Sequence, residues 1–137
     1  MSRSDYTDDC DDPLAYGRWM GRLTSALRGK RGQAMLRELL TALDAMQEKR
    51  LIVNELVNEE GNVCALGALY QKRGVDMKEF DSGDVEAMAK DFDVSEVLIR
   101  DVVYTNDEYY DAATPEERWL KMRAWVAANI HETPVTV

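Results

Sequence analysis

Few side chains in this sequence have the types and the spacing that catalysis requires. The chain contains one histidine, His131, and two cysteines, Cys10 and Cys64. It contains no Ser/His/Asp or Cys/His combination in the sequence context of a known catalytic site. It also contains no His and Cys residues at the spacing of metal ligands and no phosphate-binding loop. Folding can still bring two carboxylates together, so a carboxylate-based site stays open. The sequence therefore predicts a protein that is not an enzyme, with no catalytic residues, no metal ligands and no cofactor.

Acidic residues dominate the second half of the chain and form a candidate binding surface there. The net charge is −9, and residues 51–112 contain fifteen acidic and five basic residues, a balance of −10. This stretch ends in a polar, tyrosine-bearing segment, and tyrosine beside carboxylates is typical of protein interfaces. The pattern predicts that a protein partner binds at five residues, which are Asp101, Asp107, Glu108, Tyr109 and Tyr110. The alternative is a solvated loop or a lid over the core.

Basic residues are concentrated before this acidic half. Residues 13–50 contain eight basic and three acidic residues, a balance of +5. This stretch is a candidate surface for a nucleic-acid backbone or an acidic partner, formed by Arg18, Arg22, Arg28, Lys30, Arg31 and Arg37. Of these, Arg28, Lys30 and Arg31 are the predicted contacts to the phosphates of a nucleic acid. In the other interpretation, these charges solvate the exposed sides of two helices and some pair with the acidic half. Because a net negative charge repels nucleic acid from most of the surface, nucleic acid is only the alternative partner.

Residues 85–103, which read VEAMAKDFDVSEVLIRDVV, have the spacing of a helix-turn-helix. Ala89 occupies the position of the small residue in the first helix, and Val94 occupies the apolar position of the turn. Asp93 stands where glycine is usual, and Arg100 is the one residue of the second helix suited to a phosphate. Two interpretations stay open: a DNA-reading pair in a transcriptional regulator, or two core helices with a capped break.

The elements that must position these residues are predicted to be mostly helices. Apolar residues recur at helical spacing, and Asp12-Pro13 and Thr114-Pro115 are strong helix starts. The predicted helices cover residues 13–28, 33–47, 65–73 and 84–92, a stretch after Ser95, and 115 to about 131. Residues 51–64 are interpreted as a β-hairpin around a glycine-containing turn, although a helix continuing from Lys49 also fits the spacing. Gly67 weakens its helix, and a close backbone neighbour would explain it.

The predicted fold class is α+β and predominantly α, a compact bundle of five or six helices with one short β-hairpin at about residues 51–64. Residues 13–131 are predicted to form a single helical domain, between a disordered acidic arm at 1–12 and a frayed tail at 132–137. No apolar run approaches the roughly 20 residues that span a bilayer. The first residues also lack the apolar core of a signal peptide. These features predict a cytoplasmic protein that does not bind membranes.

Three runs of sequence carry a resemblance to a known family. They are RGKRGQAMLRELLTALDAMQEKRLI, GNVCALGAL and TPEERWLKMRAWV. They resemble a family of small uncharacterised proteins encoded by tailed bacteriophages and prophages, over roughly residues 14–131. The resemblance implies a phage accessory protein acting in the cytoplasm of a bacterial host, and it transfers no catalytic residues.

The leading hypothesis combines the charge pattern with this context. Small acidic phage proteins often bind a host factor, sometimes by mimicking nucleic acid. We therefore expect a non-enzymatic accessory protein that binds and modulates a host or phage protein through an acidic face, with nucleic-acid mimicry or anti-defence as specific forms. The alternative is a nucleic-acid-binding transcriptional regulator that uses the helix-turn-helix-like pair at residues 85–103.

Overall fold

The computed structural model describes residues 13–107 and 114–131, which form six α-helices. In chain order these are α1 (Pro13–Arg28), α2 (Lys30–Ala45), α3 (Ala65–Lys72), α4 (Val85–Phe92), α5 (Glu96–Asp107) and α6 (Pro115–Asn129). The prediction of a mostly helical protein with five or six helices is confirmed. The predicted acidic arm and frayed tail lie outside the described residues.

Helix α5 lies at the centre of the fold. It contacts α1, α3, α4 and α6, while α2 packs against α1, α3 and α6. Side chains at spacings of three and four fill the interior, and those without exposed area include Leu36, Leu39, Leu43, Leu69, Leu98, Ile99 and Val102. Burying such a side chain contributes about 1.5–3 kcal/mol, so this apolar interior holds the six helices together.

Several helix ends follow the local signals in the sequence. Thr114 caps α6, since its side chain accepts a hydrogen bond from the Glu117 backbone N–H at 3.1 Å. Asp84 caps α4 in the same way. Helix α2, however, begins at Lys30 and not at Gln33 as predicted. Gly29 alone separates α1 from α2, so residues 30–32, which lay between the two predicted helices, form the first turn of α2.

The predicted β-hairpin does not form as strands in residues 51–64. The β-pairing there is one isolated antiparallel bridge between Val57 and Val63. Asn54 has a φ of 65°, in the left-handed region, and so interrupts the extended chain where the first strand was predicted. The turn itself is well formed, because the Asn58 side chain accepts hydrogen bonds from the Glu60 and Asn62 backbone N–H groups.

Gly67 lies where α3 meets this connection. A Cβ atom added at Gly67 would lie 2.0 Å from the backbone oxygen of Leu56. The predicted close backbone neighbour of Gly67 is therefore confirmed. The contact fixes the connection from α2 to α3 against the buried helix.

Helices α4 and α5 are separated by a short turn, as predicted. Asp93 adopts a left-handed conformation with φ 55° and ψ 50°, and the Val94 N–H donates to the Ala89 oxygen at 3.0 Å. Asp93 thus takes the conformation for which glycine is usual at this position. Yet α5 is packed by four other helices. This burial favours the interpretation as two core helices over a DNA-reading pair.

Candidate functional site

Four basic side chains line one open cleft on the surface. Arg18 and Arg22 come from α1, and Lys30 and Arg31 come from the first turn of α2. The turn before α5 supplies the facing wall. The cleft has a volume of about 970 Å³. We call it the basic cleft and define it by these four residues.

The corner between α1 and α2 brings the four cations together. Gly29 has an extended conformation, with φ −68° and ψ 161°, which redirects the chain within one residue. Gly32 packs directly beneath α1, because a Cβ there would lie 1.8 Å from the Ala26 oxygen. The buried Gln33 side chain locks the corner by donating to the Leu27 oxygen at 2.6 Å and to the Asn129 oxygen at 2.9 Å. The angle of the corner is therefore set by the close backbone contact at Gly32 and by the hydrogen bonds of the Gln33 side chain.

Electrostatic compensation inside the basic cleft is small. Arg31 pairs with Asp93 at 3.2 Å, and both side chains are largely exposed. Arg18 donates to the Leu14 backbone oxygen at 3.3 Å. Within the described ranges, Arg22 and Lys30 form no ion pair. The cleft thus has a surplus of positive charge in a protein whose net charge is negative.

Arg28, Lys30 and Arg31 were the predicted nucleic-acid-binding residues. Lys30 and Arg31 line the basic cleft, whereas Arg28 is exposed at the end of α1 outside its lining. Arg18 and Arg22 belonged to the same predicted basic surface, although they were not among its three predicted phosphate contacts. Their spacing of four residues placed them on one side of a helix, but only the packing of α1 showed what that side faces.

The fold also gathers exposed carboxylates from two loops. Residues 54–64 and 75–84, which we call the acidic loops, touch where the Ser82 hydroxyl donates to the Asn54 oxygen at 3.3 Å. The acidic loops expose seven acidic residues and one lysine, Lys78. The seven acidic residues are Glu55, Glu59, Glu60, Asp76, Glu79, Asp81 and Asp84. None of these seven forms an ion pair with another described residue. Phe80 is 40% exposed among them.

The residues predicted to bind a protein partner are placed differently. Asp107 is only 8% exposed, and its carboxylate accepts hydrogen bonds from the Asn54 N–H and the Asn106 amide at 3.2 and 2.8 Å. It is therefore part of the interior and not of the expected binding surface. Asp101 is half-buried, and burial raises its pKa to about 6. Glu108, Tyr109 and Tyr110 lie outside the described residues.

Asn106 has a structural role that the sequence pattern did not predict. Its side chain accepts from the Ala65 N–H at 3.0 Å and donates to the Ile52 oxygen at 2.9 Å. It thereby holds the start of α3 and the connection before it against the end of α5. The signal was available, because Asn106 continues the inward face of α5 three and four residues after Val103 and Val102.

The residues with potential for nucleophilic or metal chemistry lie apart. Cys64 is buried, and its sulfur accepts a hydrogen bond from the Gly67 N–H at 3.4 Å as the cap of α3. His131 is exposed after the end of α6, and its backbone N–H donates to the Gln33 side chain. Across residues 13–107 and 114–131, no three His, Cys, Asp or Glu side chains are grouped as metal ligands would be.

Comparison with known protein families, curated proteins and solved structures gives no match. The resemblance to phage-encoded proteins therefore stays a prediction. In the part of the chain that the structure describes, no helix has the length and apolar character needed to cross a membrane.

Proposed function

We propose that this protein is a non-enzymatic binding protein that modulates another protein through its acidic loops. In the phage context that the sequence suggests, the partner is a host or phage protein in the bacterial cytoplasm. The observation that carries the proposal is the meeting of two loops with seven exposed carboxylates and one lysine. A surface of one charge sign attracts a partner of the opposite sign and speeds their encounter.

Phe80 supplies an apolar contact within the acidic loops. Its ring packs edge-on against the buried Tyr70, with 5.2 Å between centroids, and its own exposed fraction is 40%. Residues that dominate binding energy are commonly aromatic and surrounded by polar neighbours. The partner expected is therefore a basic protein surface with an apolar pocket. A nucleic-acid-binding protein has such a surface, so mimicry of nucleic acid and anti-defence are specific forms of this proposal.

The alternative of a transcriptional regulator that reads DNA with α5 gains no support. Leu98, Ile99, Val102 and Val103 of α5 are buried, and neighbouring helices cover it. A recognition helix must present several side chains to the major groove. The core position of α5 opposes that role.

An affinity capture from bacterial lysate tests the acidic loops. The bait is compared with a Glu55→Gln/Glu79→Gln variant, because these two exposed carboxylates make no hydrogen bond or ion pair with the described residues. The control is Glu86→Gln/Glu116→Gln, which removes two exposed carboxylates elsewhere, with the loss of one exposed ion pair between Glu86 and Lys90. We expect one protein to be retained by the wild type and the control, to be lost with the loop variant, and to be released by nucleic acid if the loops mimic it. Equal retention by all three baits, or no specific retention, would count against the proposal.

A further inference from the structure

We propose that the basic cleft is a second binding site and that it holds the phosphate backbone of a nucleic acid. This inference goes beyond the proposed function, which concerns the acidic loops. It also differs from the helix-turn-helix hypothesis, because the contacts come from α1 and α2.

The side chains of the basic cleft suit phosphate groups. Three of the four are arginines, whose planar guanidinium groups bind two phosphate oxygens at once. Arg18 and Arg22 lie one turn apart on α1, about 6 Å along the helix axis. Arg31 already pairs with Asp93, but both side chains are mostly exposed. An exposed ion pair of this kind contributes little to stability, so a phosphate can displace Asp93.

The backbone around the cleft adds to this attraction. Helix α2 begins inside the cleft, and its N-cap Gly29 has no side chain to accept from the first N–H groups. The start of a helix carries a partial positive charge and is a frequent phosphate site. Gly21 also lines the cleft, and a Cβ added there would meet nothing within 4 Å. A strand can therefore approach α1 closely between Arg18 and Arg22.

Nucleic acid fits the cleft better than an acidic peptide does. The protein carries a net charge of −9, which opposes the approach of any polyanion. A nucleic acid has a condensed layer of counterions, and releasing them when phosphates are neutralised favours binding. An acidic peptide has a lower charge density than DNA and releases fewer counterions, so it must overcome the same repulsion with less compensation.

Fluorescence anisotropy on the full chain tests the inference. The probe is a short labelled DNA, which is single-stranded in one series of measurements (arm) and duplex in the other. If all four cations neutralise phosphates, log K should fall against log salt with a slope of about −3.6 for duplex and about −2.8 for single strands. Between about 50 and about 200 mM salt, affinity should drop about 150-fold or about 50-fold, respectively. The arm with tighter binding identifies the form of nucleic acid.

Variants locate the binding in the cleft. Arg22→Gln should reduce the size of the duplex slope by about 0.9, and Arg18→Gln/Arg22→Gln should reduce it by about 1.8. Arg22→Lys keeps the charge and should keep the slope. Lys78→Gln removes a cation outside the cleft and should leave the slope unchanged. These side chains are exposed, so circular dichroism should show that every variant folds.

Three results would overturn the inference. These are the absence of DNA binding at low salt, equal slopes in the wild type and the arginine variants, and competition by oligoglutamate as strong as that by unlabelled DNA. The last result would assign the cleft to an acidic protein segment. The Glu55→Gln/Glu79→Gln variant should still bind DNA with the wild-type slope, which separates this inference from the proposed function.

Discussion

Replacing Gly67 by alanine tests how the connection before α3 is held. The alanine Cβ would lie 2.0 Å from the Leu56 oxygen and 3.0 Å from the Val63 Cβ. The Leu56 oxygen also accepts a hydrogen bond from the Cys64 N–H at 3.2 Å. The carbonyl therefore cannot swing aside without breaking that bond, and residues 65–70 of α3 are all buried.

The size of the effect follows from two opposing contributions. The Cβ–oxygen distance must grow from 2.0 Å to at least 3.4 Å, where contact becomes ordinary. Overpacking of this kind costs about 1–3 kcal/mol or more. Alanine recovers about 1 kcal/mol over glycine inside a helix. We therefore expect Gly67→Ala to lower the free energy of unfolding by about 2 kcal/mol, taking the upper part of that range because two packed backbone segments must separate.

Gly17→Ala is the matched control. Gly17 also lies within a helix, but a Cβ there would meet nothing within 4 Å. The same substitution should raise the free energy of unfolding by about 0.5–1 kcal/mol. Urea unfolding followed by circular dichroism measures both variants, and the Tm of Gly67→Ala should fall by about 8 °C. If Gly67→Ala is as stable as the wild type while Gly17→Ala behaves as expected, the assigned contact is wrong.

Three further substitutions test other parts of the fold. Burial raises the pKa of Asp101 to about 6, so the folded state binds the proton of this carboxyl group more tightly than the unfolded state does. The stability of the protein therefore falls as the pH rises from about 4 to about 6. Asp101→Asn should raise the free energy of unfolding at neutral pH by up to about 3 kcal/mol and have little effect below about pH 4; an equal effect at both pH values would contradict this. Asn106→Ala removes the side-chain partner of the buried Ala65 N–H and of the partly buried Ile52 oxygen. It should lower the free energy of unfolding by about 3 kcal/mol. A loss below about 1 kcal/mol in urea unfolding would show that Asn106 does not hold α3 and its preceding connection against α5. The hydrogen bond from Arg73 lowers the pKa of Glu38 in the folded state. The Glu38–Arg73 pair therefore stabilises the fold at pH values above the ordinary glutamate pKa, and this stabilisation is lost as the pH falls through the lowered pKa. Glu38→Gln should therefore lower stability at neutral pH by at most about 1 kcal/mol, and thermal melts at neutral and acidic pH should show the difference vanish in acid.

The sequence by itself determined the helical elements and many of their ends. The Thr114 cap and the break at Asp93 depend on residues within a few positions of one another, so local chemistry is sufficient to place them. The apolar spacing also identified the inward faces, since helical periodicity places residues three and four apart on the same side. Even the close neighbour of Gly67 could be inferred, because glycine weakens a helix and is expected in a helix interior where another backbone segment lies close.

Only the tertiary structure decided which surfaces these helices form. Asn54 leaves the extended conformation where residues 51–57 suggested a strand, and its N–H is held by Asp107, which is 53 residues away in the chain. Asp107 is a charged residue that sequence pattern places at the surface, yet this contact buries it. The basic cleft likewise needs the corner at Gly29 and the turn before α5 to lie side by side. Periodicity specifies which side of a helix turns inward, but the neighbour of each outward side depends on how distant helices pack.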